Sequence, residues 1–347
     1  KTVNRNANGT LNLPLSIGEI FQSTKFFRSF HITSSYQVQD GDVWNNVEKG
    51  LRSQFGFWVR ESLKPRNPAA RRANQTLRDT LNSSQRWNPI EAYNLRGRWS
   101  AFKTIGLSNN YVKSIERTDV TGTVSKRIST TAPDMVASIS ELEKLWFTDR
   151  WMSSTQMNYK YAFRKTETVG TSLDDEESFG TDLRTIILKK FDSLINYNFR
   201  LSEKKDLRIK EMVQRVSHED ATVQVTFDVK KFRFTPKFDY TNDVTRLGTG
   251  LKTQDLTTLT PSMLVRADLA LPKGLKLPGA SKPLMFTNRI IWTTTMAMAQ
   301  KTSPITIADN SRLLSVNTSG DYEIAKNLRM TMNGALSRLW HKYLKEE

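Results

Sequence analysis

The feature that most constrains the fold is a strict alternation of apolar and polar residues over residues 221–240. Up to Val229 the odd-numbered positions are apolar, whereas after Lys230 and Lys231 the apolar residues fall at even positions. A period of two residues puts successive side chains on opposite faces of an extended strand. The change of parity at two lysines predicts a β-hairpin whose turn is at 230–231, with one apolar and one polar face.

The same alternation recurs along most of the chain, for example at residues 30–38, 93–101, 151–164, 195–202 and 259–271. We therefore predict an all-β, antiparallel protein of roughly 14 to 16 strands with little helix. Three stretches break the pattern. We expect a long loop at about 65–90, which is polar and basic, a short helical or lid segment at about 134–147, and a loop at the acidic run 174–177.

Serial amphipathic strands fit either a soluble sandwich or a transmembrane barrel. The runs here often extend over about 9 to 15 residues, whereas globular strands average about 5 to 6 and a membrane strand needs about 9 to 11. Aromatic residues also fall near predicted strand ends, where a barrel has its interfacial girdles; they are Trp151, Phe163, Tyr240, Trp292 and Tyr322. We predict that residues 1–347 form one wall segment of an outer-membrane β-barrel that is not closed by this chain.

A barrel assigns a role to each parity, since its outside contacts lipid and its inside contacts water. The residues predicted to face the lumen are Asn196, Asn198, Arg200, Gln224, Arg233, Lys237, Arg266, Arg289 and Arg329. Those predicted to face lipid are Tyr159, Tyr161, Phe163, Tyr197, Phe199, Val225, Phe227, Phe234, Phe238 and Trp292. The lumen is expected to be polar and basic.

The net charge of +17 raises nucleic acid as an alternative partner. Much of the Arg and Lys, however, occurs singly inside strands on the polar face, and there is no RNA-binding signature or basic helix. A soluble basic β protein that binds nucleic acid is therefore the less favoured alternative, and we expect no nucleic acid partner.

Nothing in the sequence predicts catalysis, a metal site or a cofactor. The chain has no cysteine, and its three histidines (His31, His218 and His341) are scattered. We find no nucleophile elbow, phosphate loop or pair of catalytic carboxylates. We expect a protein that is not an enzyme.

Several stretches, in their order along the chain, resemble one family. They are APDM at 132–135 followed by SELEKLW at 140–146, then residues 150–170, 193–209 and 321–334, with a looser match over 72–101. This order resembles the C-terminal part of the SprA (Sov) family, the giant outer-membrane translocon barrels of the type IX, gliding-associated secretion system. The chain is more basic and far shorter than members of that family.

The resemblance implies a function in protein secretion at the outer membrane. Folded cargo proteins would pass through a wide lumen with a lateral opening, and the partners would be outer-membrane lipid, cargo, and plug and accessory subunits. It implies no catalytic residues. Two other outer-membrane functions remain open, a lipopolysaccharide-insertion pore and an anion-preferring porin, because arginine-lined walls suit anions.

Overall fold

The computed structural model describes residues 3–20, 24–45, 71–120, 123–145, 148–270, 289–325 and 328–341. These residues form one antiparallel sheet of 14 strands, in which each strand pairs with its neighbours in sequence. The strands are β1 Val3–Ser16, β2 His31–Asn45, β3 Arg71–Trp87, β4 Gly106–Val120, β5 Thr123–Ser140, β6 Met152–Thr168, β7 Ser172–Ile187, β8 Phe191–Asp206, β9 Glu211–Val229, β10 Phe232–Leu247, β11 Lys252–Ala270, β12 Arg289–Thr302, β13 Ser311–Ala325 and β14 Leu328–His341. The predicted all-β, antiparallel architecture is confirmed.

The hairpin predicted at residues 221–240 is present, with its turn at the two lysines. Val229 is the last residue of β9 and pairs with Phe232, the first residue of β10. Lys230, in the turn, has a left-handed backbone conformation with φ of 57°. A two-residue loop of this kind matches the twist of the strands that it joins.

The structure describes little helix, all of it short. Helices α1 (Ile17–Ile20) and α2 (Leu142–Leu145) have four residues each, and 3-10 turns cover Lys25–Phe27, Gly97–Thr104 and Ile307–Asp309. Helix α2 lies against the turn Gly97–Thr104 and against β6. Its Glu143 carboxylate accepts a hydrogen bond from the backbone N–H of Thr155 at 3.0 Å, which ties α2 to the start of β6.

The three predicted breaks in the strand pattern are each wrong in detail. Residues 71–87 form β3 instead of part of a long loop, and residues 134–140 belong to β5, so that only Leu142–Leu145 of the predicted segment is helical. The acidic run 174–177 lies inside β7. In each case pairing with strands on both sides supplies the backbone hydrogen bonds, and this outweighs a local preference for a loop or a helix.

The described sheet is a single layer that is open at its edges. No pairing joins β1 to β14 within the described strands. Among the described residues the helices and 3-10 turns contact one another and a few of the strands, and the buried hydrophobic residues are Ala101, Leu142 and Ala267. The described helices include none that is long and apolar enough to cross a membrane.

A polar face and an apolar face as the candidate functional site

The strand register sorts the side chains of the sheet onto two faces, because directly paired residues point to the same side. On one side Asn196 pairs with Thr222, which pairs with Asp239; we call this side the polar face. On the other side Tyr197 pairs with Ala221; we call this side the apolar face. The register shifts at the bulges are local, so that each face can be followed from strand to strand.

The register places the predicted lumen residues together. The polar face carries those whose side chains are described: Asn196, Asn198, Arg200, Gln224, Arg233, Lys237 and Arg266. The backbones of Arg289 and Arg329 pair with Ala270 and Glu323. The residues predicted to face lipid all lie on the apolar face: Tyr159, Tyr161, Phe163, Tyr197, Phe199, Val225, Phe227, Phe234, Phe238 and Trp292. That these faces contact water and lipid stays a prediction.

A connected hydrogen-bond network covers the centre of the polar face. Lys160 lies 2.9 Å from Asp182, which also accepts a hydrogen bond from Asn196. The Asn198 amide donates to Asp220 at 2.9 Å and to the Asn196 side-chain oxygen at 2.6 Å. The network joins strands β6 to β9 through side chains as well as through the backbone.

Gly180 of β7 makes room for this network. The residue is buried and pairs with both Lys160 and Asn198. A Cβ atom added at this position would clash with the Asn198 side-chain oxygen. The absence of a side chain therefore lets the amides of β8 reach across the face.

The polar face carries charges of both signs, so the expectation of a basic wall needs correction. Arg233 donates two hydrogen bonds to Asp228, at 2.8 and 3.0 Å, and Lys237 lies 2.9 Å from Asp239. Arg184 is paired with Asp192 in the same way, at 2.7 Å. Sequence parity places Asp228 and Asp239 on this face together with the cations but does not show which groups pair. Arg233 and Asp228 lie on neighbouring strands, whereas Lys237 and Asp239 lie on the same strand.

The apolar face exposes large hydrophobic side chains over its whole width. Val223 and Phe238 are each 44% exposed, and Trp292 is 40% exposed. Phe227 stacks on Phe234 with ring centroids 5.5 Å apart. Aromatic contacts within the sheet cover little of this surface, and no second layer covers it in the part of the chain that the structure describes.

Two tyrosines mark one limit of the apolar surface in the middle of the sheet. The Tyr161 hydroxyl donates to Glu177 at 3.0 Å, and the Tyr197 hydroxyl donates to Glu219 at 2.8 Å. Both carboxylates belong to the apolar face by register, since Glu177 pairs with Phe163 and Glu219 with Phe199. Tyrosine is suited to such a boundary because its ring is apolar and its tip is polar.

Beyond the tyrosines the same face becomes charged, and we call this zone the collar. It comprises Asp175, Glu203, Lys205, Arg215 and Arg246, with Lys252 next to Arg246. Lys205 lies 3.6 Å from Asp175, and Arg215 lies 3.5 Å from Glu203. This zone is not apparent from the sequence, because the acidic run reads as a loop there. The available signal is the lysine pair 204–205, which follows the alternating residues 195–202.

An ion pair lies at the end of β8, next to the collar and outside the apolar surface. The Arg208 guanidinium lies 2.9 Å from the Asp206 carboxylate, and this hydrogen bond lowers the pKa of Asp206 from its usual value. Among the described residues no group of three His, Cys, Asp or Glu side chains could hold a metal ion.

We compared the chain with protein-family models, curated sequences and solved structures. No protein-family model matches the chain, and no curated protein sequence matches it. Among the solved structures, the chain is similar to one described as "Copper transporter OprC", with a TM-score of 0.34 and 8% sequence identity. The match covers 99% of this chain and 62% of that one.

Proposed function

We propose that this chain forms part of the wall of an outer-membrane β-barrel and that the lumen behind its polar face conducts protein cargo. The observation that carries the proposal is the uncovered apolar face. A sheet in water must bury such a face against another layer, and burial of apolar surface stabilises a protein by roughly 25 cal/mol per Å². Lipid supplies that cover without a second layer.

The strand lengths support the same placement. The strands have 14 to 19 residues, which exceeds the about 9 to 11 that a tilted strand needs to cross the hydrocarbon core. In β7 to β11 part of the excess length lies in the collar, where the apolar face also carries charge. An apolar zone bounded by tyrosines and then by charge is the profile expected at a membrane interface.

The mixed charge of the polar face favours protein cargo over the anion-preferring porin. A porin that selects anions needs arginine or lysine side chains in its lumen whose charge is not neutralised by nearby carboxylates. Here Lys160, Arg184, Arg233 and Lys237 each lie beside a carboxylate. Such a surface is hydrated, has little net field and offers few apolar contacts, so that a folded protein could pass along it without binding.

The size of the sheet also supports a wide lumen. Fourteen strands are present without pairing between β1 and β14 in the described residues. Because the diameter of a barrel grows with the number of strands, a barrel that includes all of them has a channel wider than a packed eight-stranded one. The family resemblance in sequence points to the same function, with cargo, plug and accessory subunits as partners.

The membrane placement is tested by extraction and refolding. We expect the protein to stay in the membrane pellet after alkaline carbonate extraction and to refold from urea only with detergent or lipid. Reversible folding in buffer without amphiphile would disprove the membrane placement, and the translocon proposal with it.

Conduction of protein is tested by crosslinking from the wall. Because the chain has no cysteine, single cysteines at Thr222 (polar face) and at the adjacent Val223 (apolar face) can carry a photo-crosslinker in native cells. We expect secreted proteins to be captured from position 222 and not from position 223. A steady, anion-selective current in planar bilayers, without any captured protein, would instead identify a porin.

A further inference from the structure

Cations face each other directly across the strands of the collar. Arg215 pairs with Arg246 in the register of β9 and β10, and Arg246 pairs with Lys252 in that of β10 and β11. Like charges directly opposite each other destabilise a sheet. Arg215 is compensated in part by Glu203 at 3.5 Å and Lys252 by Asp255 at 2.7 Å, whereas Arg246 has no ion-pair partner among the described residues.

The two arginines stand over an apolar floor. One cleft on the apolar face is lined by Phe199, Leu201, Arg215, Ser217, Val244 and Arg246. The register confirms that all six belong to one face, since Leu201 pairs with Ser217 and Ser217 with Val244. The cleft therefore joins two guanidinium groups on the collar side to an apolar surface on the other side.

Cations also lie at two other places along the same end of the apolar face, once as a directly paired arginine and lysine and once beside a tryptophan. Arg117 of β4 pairs directly with Lys126 of β5, and both line a cleft with Leu77 and Asp79. Arg312 of β13 pairs with Trp340 of β14, and the Arg338 guanidinium lies 4.9 Å from the Trp340 ring centroid. All of these cations therefore lie near the same ends of the strands as the collar does.

We propose that the Arg215–Arg246 cleft binds the phosphate-bearing headgroup of a membrane lipid. This inference rests on the proposed membrane placement of the wall. Two guanidinium groups side by side match the oxygens of a phosphate group, with which arginine forms strong, charge-assisted hydrogen bonds. The first part of the acyl chain packs on Phe199, Leu201 and Val244. The bound anion also relieves the repulsion between the paired cations, which explains why the sheet tolerates them.

The test compares two ligands that differ only in phosphate. Intact protein purified in detergent is mixed with lipid A that carries both phosphates, or with the same lipid A after dephosphorylation, and bound lipid is counted by native mass spectrometry. Because loss of a charge-assisted hydrogen bond to phosphate weakens binding at least about tenfold, we expect R215A/R246A to lose phosphorylated lipid A by that factor or more. Arg200→Ala, on the polar face of the neighbouring strand, is the matched control and should bind as the wild type does.

The conservative double variant Arg215→Lys and Arg246→Lys keeps the charges and should recover part of the binding. If the double alanine variant does not fold, Arg246→Gln is measured alone, since it removes the arginine that lacks an ion-pair partner. Equal retention of dephosphorylated lipid A, or unchanged binding by the variants, would overturn the proposal. Displacement of the lipid by an equal concentration of inorganic phosphate would also overturn it, because the apolar floor would then contribute nothing.

These outcomes are separate from a failure of the proposed function. A protein that requires amphiphile to fold but ignores the phosphate refutes only the lipid site. A protein that folds reversibly in plain buffer refutes the membrane placement itself.

Discussion

The two faces of strands β8 to β10 satisfy their side chains in opposite ways. On the polar face the groups bind each other, as in the contact from Thr222 to Asp239 at 2.6 Å. On the apolar face Val223, the next residue, is 44% exposed and has no layer above it in the described structure. The polar face therefore supplies its own partners, whereas the apolar face has none in the described structure and, on the proposed function, is covered by lipid.

The largest expected effect is a contrast in accessibility between neighbouring residues. Single cysteines at Arg233 and Lys237 should react with a membrane-impermeant thiol reagent, because in the proposed barrel these positions face a hydrated lumen. Cysteines at Phe234 and Phe238 should stay unlabelled in intact membranes. Equal labelling of both sets would break the comparison and would indicate a sheet that has water on both faces.

The next effect is the energetic cost of a charge on each face. In the proposed barrel Val225→Arg places a cation in lipid near the middle of the apolar zone, and we expect the free energy of unfolding to fall by about 2–4 kcal/mol. Thr226→Arg, one residue along β9 on the polar face beside Asp192, should change it by about 0.5 kcal/mol or less. Urea titrations of the two variants in the same lipid measure the difference.

A depth control sharpens this measurement. Val229→Arg lies beside the turn at 230–231 on the apolar face and should cost only about 0–1 kcal/mol, because the penalty falls toward the membrane interface. A soluble core would penalise a buried arginine without such a dependence on distance from a membrane interface. An equal penalty at 225 and 229 would therefore count against lipid as the solvent.

A smaller effect comes from removing a single hydroxyl on each face. Tyr197→Phe leaves Glu219 without the hydrogen bond that it accepts at 2.8 Å, and we expect a loss of about 1–3 kcal/mol. Thr222→Val removes the donor to Asp239, but Lys237 lies 2.9 Å from that carboxylate, so the loss should be about 0.5 kcal/mol. If Tyr197→Phe costs no more than Thr222→Val, Glu219 is fully hydrated and the boundary of the apolar zone lies elsewhere.

The smallest effect is that of an ion pair on the polar face. Lys237 and Asp239 have side chains that are 40% and 27% exposed, and a double-mutant cycle with Lys237→Met and Asp239→Asn should give a coupling of about 0.2–1 kcal/mol. The coupling should decrease as salt is added, because water and ions reach the pair. A coupling that is insensitive to salt would contradict a hydrated lumen.

The sequence predicts the fold best where alternation is strict. The β9–β10 hairpin and its turn follow from parity alone, and so does the division of residues between the faces. Strand β3 was missed because Leu77, Leu81 and Trp87 are widely spaced among polar residues. The neighbouring strands β2 and β4 fix the register of β3, through pairs such as Leu81 with Tyr36 and with Lys113. These partners are distant in sequence, so the local pattern of β3 does not reveal them.

Other details of the site also depend on pairing between strands. The alternation at 93–101 predicts a strand, but Gly97 has φ of 62° and begins a 3-10 turn there. The cation pairs of the collar exist only across strands, as between Arg215 and Arg246, and so do the ion pairs of Lys160 with Asp182 and of Arg233 with Asp228 on the polar face. Single-sequence parity gives the face of a residue but not its neighbour, so these features could not be predicted.

The order of the sheet has a kinetic consequence. Within the described residues each strand pairs only with the strands before and after it in the chain, and several hairpins close over few residues, as at Lys230 and Lys231. The chain entropy lost in closing such short loops is small, and contacts between residues close in sequence favour fast folding. The sheet can therefore grow one hairpin at a time from any nucleus, and the described strands need no pairing between strands that are not consecutive in the chain.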